Sequence, residues 1–199
     1  MTAASFADAD IQDVVDKLTT EEAISLISGV GFWSTAAVPR LGVPSINVSV
    51  FGPNGVRGGF FFNGTPANCI PCATALGATW DTELVSEIAS NLLAPEVKQR
   101  ASSVLLAPTC NIQRSPLGGR SFESFAEDSH LSGHMAAAYI NGLQSGGVGA
   151  CIKHFVANDQ EDERMGSDSI LSERALREIY LYPFMLAEKL SKPMCYMTS

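Results

Sequence analysis

Positive charge is in short supply in this sequence: 13 Lys and Arg face 21 Asp and Glu across 199 residues, a net charge of −8, with a pI near 4.8. Such a surface repels phosphate, so neither nucleic acid nor an anionic membrane is an expected partner. No uninterrupted apolar run reaches the roughly 18 residues of a membrane-crossing helix. From Met1 to Lys17 the chain holds Asp8, Asp10, Asp13 and Asp16, where a secretory leader would be basic and then apolar. The expected location is cytoplasmic, which leaves secretion of a full-length relative open.

Histidine is scarce, three in all. His130 and His134 stand four apart, a spacing that metal sites use, yet no third ligand is suggested nearby. The expectation is a solvated or packed helix face, with no metal and no cofactor. Cysteines number five, an odd count. Cys110, Cys151 and Cys195 lie in apolar stretches that read as buried strands, a pattern suited to a reducing compartment. Cys69-Ile-Pro-Cys72 has redox spacing, but it opens no βαβ unit and lacks the helix start that would activate a thiol, so loop packing is expected.

What is present is a foldable composition, 46% hydrophobic and 17% charged, at the size of one ordinary domain. Ile11, Val14, Val15, Leu18, Ile24 and Ile27 recur near helical spacing, with Thr19 or Thr20 ahead of Glu21 and Glu22 marking a second helix start. Helices are expected over 82–99, starting at Asp81, and over 129–145 and 172–190. Strands are expected over 45–51, 103–107, 148–155 and 194–198. Apolar strands alternating with amphipathic helices imply parallel βαβ units, an α/β class. Polar loops cluster at the strand C-terminal ends, where a (β/α)8 barrel keeps its site. These strands are too few to close that barrel. The chain is therefore expected to form its first half, with parallel strands, outer helices and an open edge through which it self-associates.

Three strand-end segments are dense in polar groups. Gly52 to Gly58 (GPNGVRG) fixes a turn and offers the Arg57 guanidinium fork, with a purely structural turn as the alternative. In Asn111 to Asp128, arginines and acids can form ion pairs that hold the loop and leave one guanidinium facing a cleft; a structural ion-pair network is the other reading. Lys153 to Glu161 follows an apolar strand. Adjacent residues on a strand point to opposite faces, but a bulge lets Lys153 and His154 both reach one ligand, such as the vicinal hydroxyls of a sugar.

The blocks GPNGVRG, FFNGTPA, NIQRSPLGGRSFESFAED, KHFVANDQEDER and ERALREIYLYPF resemble the N-terminal barrel of family 3 glycoside hydrolases, in the β-glucosidase branch, over nearly the whole chain. The resemblance implies that residues 1–199 are a partial barrel domain of a retaining β-glucosidase acting on terminal non-reducing β-D-glucosyl residues. It implies that Arg120, Lys153 and His154 grip the glucose hydroxyls, with Arg57 and Met197 as wall residues. None of these is catalytic: the nucleophilic aspartate, and the acid/base glutamate of a following α/β sandwich, would lie beyond Ser199. The segment after His154 lacks the Pro-Gly-His-Gly run of the hexosaminidase branch, which favours glucose or a β-glucoside as ligand. One departure stands out. The family pattern has an Asp before Gly-Pro-x-Gly-Val-Arg, and this chain has Val50-Phe51, which cannot accept a hydroxyl proton. Glu123, Glu127, Asp128, Asp159 and Glu161 are expected to pair with Arg114, Arg120, Lys153 or Arg164 as scaffolding. The chain alone is thus expected to be inactive; the alternative is a non-catalytic glucose-binding pseudo-enzyme or truncated remnant.

Overall fold

The structure, a computed structural model, describes residues 6–52, 55–57 and 66–199. It divides into two compact units, Met1–Val48 and Ser49–Ser199. In the first, α1 (Ile11–Asp16) starts at Asp10, whose side chain accepts from the Asp13 amide. A reciprocal capping box of Thr19 and Glu22 starts α2 (Thr20–Ser28). Arg40 grips the Glu22 carboxylate and donates to the Lys17 carbonyl at 2.7 Å, tying the two helices to the turn at Pro39–Leu41.

The second unit holds a five-stranded sheet. Its strands are β1 (Val48–Gly52), β2 (Gly55–Val56), β3 (Val104–Leu106), β4 (Gly149–Phe155) and β5 (Cys195–Thr198), in the spatial order β2-β1-β3-β4-β5. The β3-β4 and β4-β5 pairs are parallel, as the alternating pattern requires. β1 and β2 form an antiparallel pair at the other edge; β2 is too short to leave any periodicity and was not expected. Between β2 and β3 come α3 (Ala73–Gly77) and α4, which runs as three consecutive stretches, Thr82–Ile88, Ala89–Leu93 and Ala94–Gln99. α5 (Ser129–Ser145) joins β3 to β4, and α6 (Glu173–Ala175, Leu176–Tyr180 and Tyr182–Ser191) joins β4 to β5. Asp81, Asp128 and Ser172 cap α4, α5 and α6 by accepting from the amides of Leu84, Leu131 and Ala175. The middle stretches of α4 and α6 are wider π turns, each shortly ahead of a proline, Pro95 and Pro183. Proline has no amide hydrogen to give the preceding turn, and the widened turn re-routes the ladder past it.

α5 packs between α4 and α6. Leu105, Ala150 and Ile152 of the sheet are buried in one core with Val85, Leu93 and Val97 of α4, Met135, Tyr139, Ile140 and Leu143 of α5, and Phe184 of α6. Gly142 permits the close α4–α5 approach, because a Cβ there would run into the Ser86 carbonyl and stand 2.8 Å from Ala89 Cβ. Helices thus cover one sheet face, and among the described residues no strand pairs the outer side of β5. No helix of the described residues is long and apolar enough to cross a membrane.

Two expectations about cysteine need correcting. Cys110 is buried but lies beyond the end of β3, in a segment held beside β4 by the isolated Thr109–Lys153 bridge. Cys72 directly precedes α3, so the Cys69-Ile-Pro-Cys72 segment does lead into a helix start, although Cys72 makes no side-chain cap bond. The apolar residues of α3 are too few to show a helical period, which is why its start was not legible.

Candidate functional site

The segment after β3 continues alongside β4, with the Lys153 amide donating to Pro108 O at 3.0 Å and the Cys110 amide to Lys153 O at 2.9 Å. This brings Thr109 and Asn111 to the end of β4. There the β4–β5 register slips: Lys153 partners Met197, while Phe155 partners Thr198. His154 is the extra residue, so it leaves the helix-covered face that alternation would assign it. Phe155 turns back to meet Phe184 and Tyr196 edge-on. Asn111 fastens the irregularity, its side chain donating to His154 O at 3.1 Å and accepting from His154 N at 2.7 Å.

Glu123 is the hub of the charged groups. It accepts from Arg120 Nε at 3.0 Å and Nη2 at 2.9 Å, accepts from Thr109 Oγ1 at 3.2 Å, and stands 3.4 Å from Lys153 Nζ. The fork is bidentate, the geometry in which an arginine is held most firmly. Arg120 Nη1 lies 3.7 Å from Glu161, which also pairs with Arg164 at 2.8 Å. The loop bearing Arg120 and Glu123 is itself anchored by Gln113, whose amide donates to Ser121 O and Ser124 O, both at 3.0 Å.

Burial raises the Glu123 carboxyl, but Arg120, Lys153 and Thr109 outweigh it and hold the group below its ordinary value. Lys153 is almost wholly buried, and that burial lowers its ammonium against the pull of Glu123. His154 is lowered to about 3, first by burial and then by the positive charge of Arg120 and Lys153, so its ring is neutral near pH 7. Arg120, His154, Thr109, Asn111, Asn158 and Glu161 line one small cleft. A neutral imidazole can donate from one ring nitrogen and accept at the other, while Arg120 and Lys153 supply only donors. That combination suits hydroxyl groups.

The structure therefore brings Arg120, Lys153 and His154 together. Met197 is half-buried beside Lys153, whereas Arg57 is exposed after β2, at the opposite end of the sheet order. The side chains of Val50 and Phe51, and residues 53–54 and 58–65 of the first two motif blocks, lie outside the described residues. The scaffolding expectation holds for Glu123, Glu161 and Asp159, the last pairing with Arg114. It fails for Glu127 and Asp128, which join no ion pair among the described residues: Glu127 is exposed and Asp128 caps α5. The nearest arginine in sequence, Arg120, stands seven residues before Glu127, whereas the Leu131 amide lies within reach of Asp128. The His130 and His134 rings meet at a 54° tilt with centroids 4.5 Å apart, and His130 Nδ1 meets the Tyr182 hydroxyl at 3.1 Å. Sequence reasoning missed Asn111 and Thr109, for which no signal exists. It also missed the particular role of Glu123, which the Arg120-x-x-Glu123 spacing could have suggested.

Arginine, lysine and neutral histidine are gathered at the parallel strand ends of an α/β fold, and comparison with known proteins places that fold in a family. Residues 46–194 match the model of the glycosyl hydrolase family 3 N terminal domain, and the chain belongs to that family. It is 57% identical over 190 residues to a protein named Probable beta-glucosidase I of Neosartorya fischeri, and 56% identical to its namesake of Aspergillus fumigatus. Each alignment covers 96% of this chain and 22% of the relative, so the chain spans about a fifth of their length. The crystal structure of a Kluyveromyces marxianus β-glucosidase in complex with glucose superposes with a TM-score of 0.92 at 47% identity, over 96% of this chain and 23% of that one. A Thermotoga neapolitana β-glucosidase 3B in complex with glucose gives 0.85 at 41%, over 94% and 28%. The open parallel sheet with outer helices is thus a partial (β/α)8 barrel.

Proposed function

We propose that this chain is the glucose-gripping part of a β-glucosidase barrel, acting on terminal non-reducing β-D-glucosyl groups with retention, and that it hydrolyses no glucoside unaided. The observation that carries the reading is the Glu123 clamp, which holds Arg120 and Lys153 beside neutral His154. Their free N–H groups match vicinal hydroxyls of one pyranose. The names of the relatives and the glucose in two neighbours support the substrate class.

Retaining cleavage needs one carboxylate to attack the anomeric carbon and a second, about 5 Å away, to protonate the leaving oxygen. Glu123, Glu161 and Asp159 are each committed to a cation, which keeps them poor candidates for either role. The relatives are several times longer than this chain, room enough for the remaining barrel and the α/β sandwich that would supply both carboxylates. A cytoplasmic location fits the acidic first segment and is tested by cell fractionation.

The test is release of p-nitrophenol from its β-glucoside, with glucose binding followed by calorimetry. We expect binding and no release from the 199-residue chain, and release once the chain is extended to the length of its relatives. Binding without release in the extended chain would favour the non-catalytic reading, which the committed acids also support. Release by the short chain that disappears in Glu123→Gln or Asp159→Asn would overturn the assignment.

A further inference from the structure

We propose that Cys151 of β4 and Cys195 of β5 form a dithiol site that exchanges with a low-molecular-weight disulfide and closes as an interstrand disulfide. The two residues are Cα partners in the parallel β4–β5 register. Neighbouring strands run about 4.8 Å apart, inside the roughly 4.4–6.8 Å Cα span that a disulfide bridges. Side chains alternate along a strand, and Ala150 and Ile152 are buried in the helix-covered core. Cys151 and Cys195 therefore share the opposite sheet face with Lys153 and Met197, the next pair on that face. Cys195 Sγ donates to the carbonyl of Ala150, the residue directly before Cys151, at 3.5 Å, which sets the Cys195 thiol beside the Cys151 backbone. Cys151 is buried and Cys195 is half-buried, so an incoming reagent meets Cys195 first. No step of the proposed glucoside chemistry uses either group.

The asymmetry assigns the order of events. The neighbouring Cys151 thiol holds Cys195 below its ordinary value, and Cys195 together with burial drives Cys151 up. The Cys195 thiolate attacks one sulfur of glutathione disulfide, whose S–S bond breaks and releases one glutathione thiolate. Cys151 gives its proton to that thiolate and attacks Cys195 Sγ, expelling the second glutathione. The proton that Cys195 gave up on forming its thiolate reaches the second glutathione through solvent; the protein thus loses two protons and two electrons, and one disulfide becomes two thiols.

The test treats the folded protein, in its unsubstituted form and as Cys69→Ser/Cys72→Ser to silence the other closely spaced pair, with glutathione disulfide. Free thiols are then alkylated with iodoacetamide, and the protein is digested and mapped by mass. The expected result is an intact mass lower by two hydrogens and a linked Cys151–Cys195 peptide, with buried Cys110 alkylated only after unfolding. Cys151→Ser should stop at a stable glutathione adduct on Cys195, and Cys195→Ser should leave Cys151 unmodified. Recovery of Cys151 and Cys195 without a link in the oxidised protein overturns the proposal, as does a lasting glutathione adduct on Cys195 when Cys151 is present. Mapping of the unsubstituted protein decides the matter even where a serine variant fails to fold.

Discussion

Glu123 holds two cations at once with a side chain only 11% exposed, so its removal strands both Arg120 and Lys153 beside each other in a poorly hydrated place. Glu123→Ala should destabilise the protein by about 3 kcal/mol, the scale for breaking a buried pair, read as a lower urea midpoint with unchanged slope. A glucose affinity that survives that change would show that the clamp does not position the donors. His154 gives a separate acid signature. Its folded pKa, about 3, lies below the unfolded value of 6.5, so the unfolded chain binds the extra proton between those limits. Stability should fall as pH drops from about 6.5 towards 3, by at most about 1.4 kcal/mol per unit, and His154→Phe should flatten that stretch. Glu123 acts in the same sense lower down: its depressed carboxyl lends stability above the unfolded value near 4.5 and loses it as pH falls through the folded one. The two are separable because only the histidine slope begins above pH 5. A pH–stability profile unchanged by His154→Phe between 4 and 6.5 would remove the burial argument.

Among the elements, α5 is the one on which the fold depends, since it packs on α4 and α6 and feeds β4. Its N-cap, Asp128, accepts from the Leu131 amide at 2.6 Å, and Asp128→Ala should cost about 1 kcal/mol. Gly142→Ala should cost more, about 1–3 kcal/mol, because the added methyl meets the Ser86 carbonyl and Ala89 where neither helix can retreat cheaply. Both are read from helical circular dichroism through a denaturant titration; equal stability in Gly142→Ala would mean that α4 shifts freely. These helices were legible in the sequence because Asp81, Asp128 and Ser172 are ordinary cap residues ahead of periodic runs. The π stretches were not: Pro95 and Pro183 announced a disturbance, but where the ladder widens depends on what α5 packs against it.

At the scale of the whole molecule, helices cover one sheet face and no strand among the described residues pairs the outer side of β5, and we propose that a second copy pairs there. Phe155, Leu181, Phe184, Met185 and Tyr196 line an apolar groove beside that strand. Concentration-dependent association is the expected behaviour in sedimentation velocity, reduced in Tyr196→Lys. A single sharp monomer species at all concentrations would refute it.

By itself the sequence determined the α/β class, because apolar strands flanked by capped amphipathic helices have few other ways to bury both. It also determined that Arg120, Lys153 and His154 stand at strand ends, since their segments follow the apolar runs directly. Tertiary structure decided how those residues meet. The register slip at His154 comes from pairing with β5, more than 40 residues away along the chain. The Asn111 clasp joins positions brought together only by the β3–β4 ladder. The choice of Glu123 over Glu127 and Asp128 as the shared anion follows from where a three-residue turn and the start of α5 aim their side chains. Local spacing encodes which groups are near in the chain, whereas charge pairing and burial depend on what the fold sets against them.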